Sequence, residues 1–454
     1  MSTATRRSVA AVLAAAFAVL LAPIAGAITP PQVDSNATPP SGAAGPVATM
    51  GQRGKCVTAG VLPGTTPGAA NQSLLNLPGA WAVSRGEGQT VAVIDTGVHP
   101  GPRLPDVQPG GDFVESGDGL ADCDGHGTLV AGLIAGRPGP DGFSGVAPEA
   151  KILAIRQSSE RFSPRSDSDD PATARAEVEV QSLARAVVRA ADLGAKVIAI
   201  TAVTCLPADQ QVDQSALGAA LKYAAVEKDA VIVAASGNDR AGLSGGPTCK
   251  ANPLDNPGHP ADPRNWAGVT SVSIPSWWQP YVLSVGSLDG NGQPSDFTMP
   301  GPWVGIAAPG ENISSVSNGD GGGIANALPN DRGELFALRS SSYAAAYVAG
   351  VAALVRSKFP ALHSGDVITR LTATAHGAAR TPSNLVGAGI VDPVAALTWQ
   401  LPAAPTQVAP VAVTPPAAPA AKDTTPTAIA FVGTALLALA TLIVVVLRRK
   451  GQAQ

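Results

Sequence analysis

The sequence predicts an α/β fold built on a central, mainly parallel sheet with helices on both faces. Three observations lead there. The short apolar runs are continuous instead of alternating, Ala-rich helical segments lie between them, and Gly-rich turns separate the two. A strand buried on both faces reads as an unbroken apolar run, and alternation of such runs with helices indicates parallel crossovers.

The runs fall at 91–94, 151–155, 197–201, 231–235 and 281–285, and the helical segments at 128–134, 177–193, 215–228 and 344–358. They define a body expected to span 79–400. Ahead of it, 1–27 has the form of a signal peptide. Arg6 and Arg7 supply the positive start, 8–21 the apolar stretch, and Ala25-Gly26-Ala27 the small-residue cleavage site. Residues 28–78 form a Pro-rich N-terminal extension. After the body, 401–426 is dominated by Pro, Ala, Val and Thr. Such a stretch buries too little side chain to fold and is biased to polyproline II, so it is expected to be a semi-rigid stalk. The apolar run 428–447 carries no charge. At 1.5 Å per residue it can cross a hydrocarbon layer about 30 Å thick, which predicts one transmembrane helix over 427–447. Arg448, Arg449 and Lys450 follow it in the tail 448–454. The positive-inside rule makes that tail cytoplasmic and the body extracytoplasmic, on a single-pass protein of the cell membrane. A removable lipid-anchor signal is the rival reading, and the basic end suits it less well.

Charged residues are 14% of the 454-residue chain, against about 25% in an ordinary soluble domain, and 30 Lys plus Arg face 34 Asp plus Glu. No broad basic surface is available to neutralise phosphates, which argues against nucleic-acid binding. The four cysteines, Cys56, Cys123, Cys205 and Cys249, form no CxxC pair. Their spacing is poor for zinc, and export favours disulfides, of which four cysteines permit three pairings. The polar segment 167–170 (Asp-Ser-Asp-Asp) reads as a solvated loop, and neither a metal nor a cofactor is expected.

Four motifs carry chemistry. Asp95 ends the first apolar run in Asp95-Thr96-Gly97, where a carboxylate can project beyond the strand. His126 stands in Asp124-Gly125-His126-Gly127-Thr128, at the start of an apolar helix. His99, His259, His363 and His376 lie in Pro- or Gly-flanked loops or at helix ends, where exposure is the plain expectation. Ser342 heads a strongly helical Ala-rich segment, where the positive end of the helix dipole favours a developing alkoxide. Asn238, in Ser236-Gly237-Asn238 after a buried run, can donate a side-chain N–H to an oxyanion. Singly, each has an ordinary alternative: a turn-capping Asp, a helix-capping Ser, a turn Asn.

The ordered set resembles the subtilisin-like serine peptidases, or subtilases, over about 81–399. The chain order Asp, His, Ser is the one known for subtilisin. The resemblance implies a subtilisin-like three-layer fold with Asp95 as orienting carboxylate, His126 as base, Ser342 as nucleophile and Asn238 as oxyanion donor. It also implies that Thr201, Ala202 and Val203 line part of the substrate site. Asn76-Leu77-Pro78, Gly111-Asp112-Phe113-Val114 and Ser276-Trp277-Trp278-Gln279-Pro280-Tyr281, with the arrangement of signal, extension, stalk and single helix, resemble the mycosins. These are the membrane-anchored subtilases of mycobacterial type VII secretion systems. The narrower resemblance implies an extension that wraps the catalytic domain and bridges Cys56–Cys123 and Cys205–Cys249. It further implies partners among protein substrates, secreted cargo included, and membrane components of a type VII complex. Function is thus expected to be endopeptidase cleavage through an acyl-enzyme. A second reading is a mainly structural component that docks on and stabilises the secretion complex. Ser340 and Ser341 stand where subtilases usually carry Gly and Thr. Because Gly tolerates backbone angles that Ser does not, this departure is expected to strain or shift the nucleophile turn and lower activity.

Overall fold

The computed structural model describes residues 28–401, apart from 69, 166–167, 241–247, 255–261 and 380. The expected signal, nearly all of the stalk, the 427–447 helix and the tail lie outside these residues, as do Asp167 and His259. Among the described residues, no helix is long and apolar enough to cross a membrane.

Seven strands make the central sheet: β1 (Thr90–Asp95), β2 (Val107–Asp112), β3 (Lys151–Arg156), β4 (Val197–Ile200), β5 (Val231–Ala235), β6 (Val282–Leu288) and β7 (Val304–Pro309). Their spatial order is β7-β6-β5-β4-β1-β3-β2, and every neighbouring pair is parallel. The five runs read from the sequence are the interior strands β1, β3, β4, β5 and β6. β2 and β7, which no run announced, are the two edges. The chain leaves β1 for β2 and β3 on one side, then returns past it to build β4 on the other. A crevice opens at such a switch, beyond the strands' carboxyl ends, and Asp95 is the last residue of β1.

Alternate residues of each strand feed two cores. Val91, Val93, Val197, Ala199, Val231 and Val233 pack with α1 (His126–Ala135), while Ala92, Ile94, Ile198, Ile200, Ile232 and Ala234 pack with α2 (Pro171–Asp192) and α3 (Ser215–Lys222). The helix α4 (Ser341–Lys358) completes the first core and is buried continuously from Ser341 to Arg356. A helix apolar all round belongs inside a core, and its many alanines let neighbours approach closely. Beyond α3 the helix continues as a π turn over Tyr223–Glu227. Of the polar segment read as a solvated loop, Asp170 is the N-cap of α2, accepting from the Thr173 N–H at 3.1 Å.

The N-terminal extension runs against this body. Met50–Gln52 pairs antiparallel with Phe162–Pro164. Cys56 is bonded to Cys123, and the Val57 N–H donates to the Cys123 carbonyl at 2.9 Å. Ala59 N–H donates to Asn318 Oδ1 at 2.9 Å, and Gly60 bridges to Ala327. The second disulfide joins Cys205 and Cys249.

Candidate active site

Asp95 and His126 meet because two glycines leave no room for anything larger. A Cβ on Gly97, whose φ is +103°, would lie 2.1 Å from the Ala121 carbonyl oxygen, and one on Gly127 would lie 2.0 Å from that of Gly97. The turn after β1 and the start of α1 therefore touch backbone to backbone. His126 Nδ1 then sits 2.8 and 3.0 Å from the two carboxylate oxygens of Asp95. Asp95 is fully buried and His126 is 4% exposed. Two further donors hold Asp95: the Thr96 N–H reaches Oδ1 at 2.7 Å, and the Thr201 hydroxyl donates to Oδ2.

Burial opposes ionisation of Asp95, but the charge of His126 and the hydrogen bonds from His126, Thr201 and Thr96 outweigh it. They hold the carboxyl below its ordinary range. Burial likewise disfavours the imidazolium of His126. The charge and hydrogen bond of Asp95 overcome that, with help from Asp122 and Asp124, and raise His126 above its ordinary value. The pair is thus an orienting anion with a base made more basic. His126 Nε2 is buried and, among the described residues, has no hydrogen-bond partner. The Tyr343 ring packs on the imidazole with centroids 5.4 Å apart, which ties the base to the helix that begins at Ser341.

Ser342 is 1% exposed in the first turn of α4. Its hydroxyl donates to the Thr201 carbonyl at 2.9 Å. Asn238 follows β5 and lies across the turn: its Oδ1 accepts from the Ser341 N–H at 2.9 Å, and its Nδ2 donates to Ser340 Oγ at 3.0 Å. The backbone of Ser340, at φ −176° and ψ 154°, is ordinary extended chain. The expected strain from replacing Gly is therefore absent: any residue adopts these angles.

A cavity of about 540 Å³ opens beside His126, lined among others by Glu160, Glu179, Ala202, Val203 and Phe336. Val57 of the extension also lines it. Of the three residues expected at the substrate site, Ala202 and Val203 face this cavity. The side chain of Thr201 is fully buried and spent on Asp95. Of the other histidines, His363 and His376 are exposed and His99 is half-buried. Sequence reasoning missed Asp122. Its carboxylate accepts from the Thr128 N–H at 2.8 Å, the Thr128 hydroxyl at 2.6 Å, the Gly125 N–H at 2.8 Å and the Thr96 hydroxyl at 2.8 Å. Burial pushes this carboxyl up to about 6, against those hydrogen bonds. The N-cap position of α1 is Gly125 and Asp122 stands three residues ahead of it, outside the position a capping pattern reads, so only the fold shows that it holds the Thr128 N–H.

The subtilase family model matches residues 86–389, a span that includes Asp95, His126, Asn238 and Ser342. Mycosin-3 of Mycobacterium tuberculosis is 63% identical over 438 residues, covering 94% of this chain and 95% of the relative. This chain belongs to the subtilase family, in its mycosin branch. A solved mycosin, described as the MycP3 protease from the type VII (ESX-3) secretion system, superposes with a TM-score of 0.79 at 67% identity. It covers 82% of this chain and all of that one. A chain of an intact ESX-5 inner membrane complex matches at 46% identity and a TM-score of 0.77, over 92% of this chain and 99% of that one. The present mycosin is accordingly a subtilisin-like serine endopeptidase.

Proposed function

We propose that this mycosin cleaves proteins through Ser342, His126 and Asp95, with Asn238 and the Ser342 N–H as oxyanion donors. The observation that carries the reading is the buried pairing of His126 Nδ1 with Asp95 at 2.8 Å, at the carboxyl end of β1, with Nε2 left open. That pairing fixes the tautomer in which Nε2 can accept a proton. For reaction, the Ser342 hydroxyl turns from the Thr201 carbonyl to Nε2 and loses its proton there as Oγ attacks the peptide carbonyl. Asp95 stabilises the imidazolium. The oxyanion is bound by Asn238 Nδ2 and the Ser342 N–H, a contribution of about 10²–10³ in rate for one such donor. His126 then protonates the departing amine, and water hydrolyses the acyl-enzyme by the same steps in reverse order.

The organisation 1–27 signal, 28–78 extension, 79–400 peptidase, 401–426 stalk, 427–447 membrane helix and 448–454 cytoplasmic tail is part of the same proposal. The apolar run 428–447 with its basic end supports the anchoring, and the contacts of 50–60 with the body support an extension that wraps the enzyme. The likeness to a chain of an ESX-5 inner membrane complex supports association with the membrane components of a type VII system. The decisive test of the chemistry is covalent labelling. A serine-directed phosphonate modifies Ser342 in the wild type and does not label Ser342→Ala. Labelling that survives Ser342→Ala and disappears in Ser341→Ala would refute the assignment.

A further inference from the structure

We infer that Ser340 is a gate on this peptidase: its hydroxyl fills the oxyanion position in the resting enzyme and must leave before a peptide carbonyl can be polarised. The inference rests on the proposed roles of Ser342 and Asn238. Ser340 Oγ accepts from Asn238 Nδ2 at 3.0 Å and from the Ser342 N–H at 3.1 Å. These are the two donors a tetrahedral intermediate would use, so an atom that accepts from both sits where the oxyanion would form. Its own proton goes to Ser342 Oγ at 3.0 Å. A hydroxyl has one proton and two lone pairs, and here all three are committed. The nucleophile is held at the same time, because the Ser342 hydroxyl donates its hydrogen bond to the Thr201 carbonyl while His126 Nε2 has no partner among the described residues.

Ser340 is also the N-cap of α4, and the capping bond is the one it accepts from Ser342 N–H. Serine is a favoured cap because its oxygen satisfies a backbone donor that the helix leaves free. In this chain that donor is the one catalysis needs, so cap and oxyanion compete for a single N–H. Ser340 is fully buried, which leaves its three hydrogen bonds without easy replacement by water when the side chain turns away. Glycine at this position removes the competitor and remains an acceptable cap.

The test uses the full chain with Ser340→Gly, a peptide substrate, and a peptide aldehyde whose adduct places an oxygen in the hole. We expect kcat/KM to rise about tenfold, the worth of roughly one net hydrogen bond, and aldehyde affinity to rise by a similar factor. Affinity for the matching peptide alcohol, which forms no adduct, should not follow. Phosphonate labelling of Ser342 counts active sites, so that rates are expressed per folded molecule. An unchanged kcat/KM would mean that the hydroxyl leaves freely, and a lower one that it assists as a third donor; either overturns the gate. The nucleophile assignment fails separately, through labelling that persists in Ser342→Ala.

Discussion

At the scale of single residues, the raised affinity of His126 for its proton sets the pH dependence. The base must be neutral to accept from Ser342, and Asp95 holds its folded value above the ordinary one. Activity is therefore present above that raised value and lost as pH falls through it. The acid limb of kcat/KM should have its midpoint above the ordinary histidine value of about 6.5. In Asp95→Asn the anion is gone, so the limb should move to lower pH while kcat drops by about four orders of magnitude, as when a triad loses its aspartate charge. An unmoved limb would show that Asp95 does not set this value. Thr201 offers a sharper discrimination. Its hydroxyl is bound to Asp95, so Thr201→Val should lower kcat about tenfold with KM little changed, since a hydrogen bond to a charged group is worth roughly 1.5–3 kcal/mol when intact. A rise in KM alone would return Thr201 to a substrate contact. The Asp95–His126 pair was legible because its geometry needs close backbone approach, which leaves Gly97 and Gly127 in the text; Ser342 was read instead from the Ala-rich helix it heads. The role of Thr201 was not, because nothing in a run such as 197–201 says which oxygen its hydroxyl meets.

At the scale of elements, what could be read and what could not divides at the edges of the sheet. The interior strands must be apolar on both faces and announce themselves. β2 reads Val-Gln-Pro-Gly-Gly-Asp and breaks register between Pro109 and Gly111. An edge strand needs only one hydrogen-bonded side, so proline and a bulge are tolerated there and its sequence looks like a turn. β7, with Gly305 inside and Pro309 at its end, is hidden for the same reason at the opposite edge. The helix ends were misjudged by up to six residues at α2, where Pro171 takes the first position and Asp170 the cap. The extension gives an element-scale prediction. Cys56 is bonded three residues before His126, to Cys123, closing a separation of 67 residues. Replacing both by serine should lower the unfolding free energy by about 2–5 kcal/mol, read by denaturant titration of the purified body. An unchanged midpoint would mean that the strand pairing of Met50–Gln52 and the contacts of Ala59 and Gly60 hold the extension unaided.

At the scale of the whole molecule, the proposed anchor confines the peptidase to a layer above the membrane. A stalk over 401–426, fully extended in polyproline II at ~3.1 Å per residue, reaches at most about 80 Å. The crevice beyond β1 therefore meets polypeptides emerging at that surface far more often than freely diffusing ones. Protease added outside cells stripped of their wall should digest the body and spare the tail 448–454; a digested tail would refute the orientation. Cutting the stalk separates chemistry from place. Asp95, His126, Asn238 and Ser342 all lie on the body that ends at Trp399, and the cavity beside His126 is built from that body together with Val57 of its extension. The released body should therefore retain kcat/KM on a small peptide within about twofold, because nothing in that rate depends on the membrane. Secretion in a strain carrying only the released body should fail, since it has lost the tether that holds it beside a membrane complex. Ser342→Ala in the anchored chain supplies the complementary arm, removing cleavage and keeping the tether. If the released body restores secretion fully, tethering has no part in function. If anchored Ser342→Ala also supports secretion while the released body does not, docking at the membrane is what secretion requires and cleavage is a separate activity of the same fold.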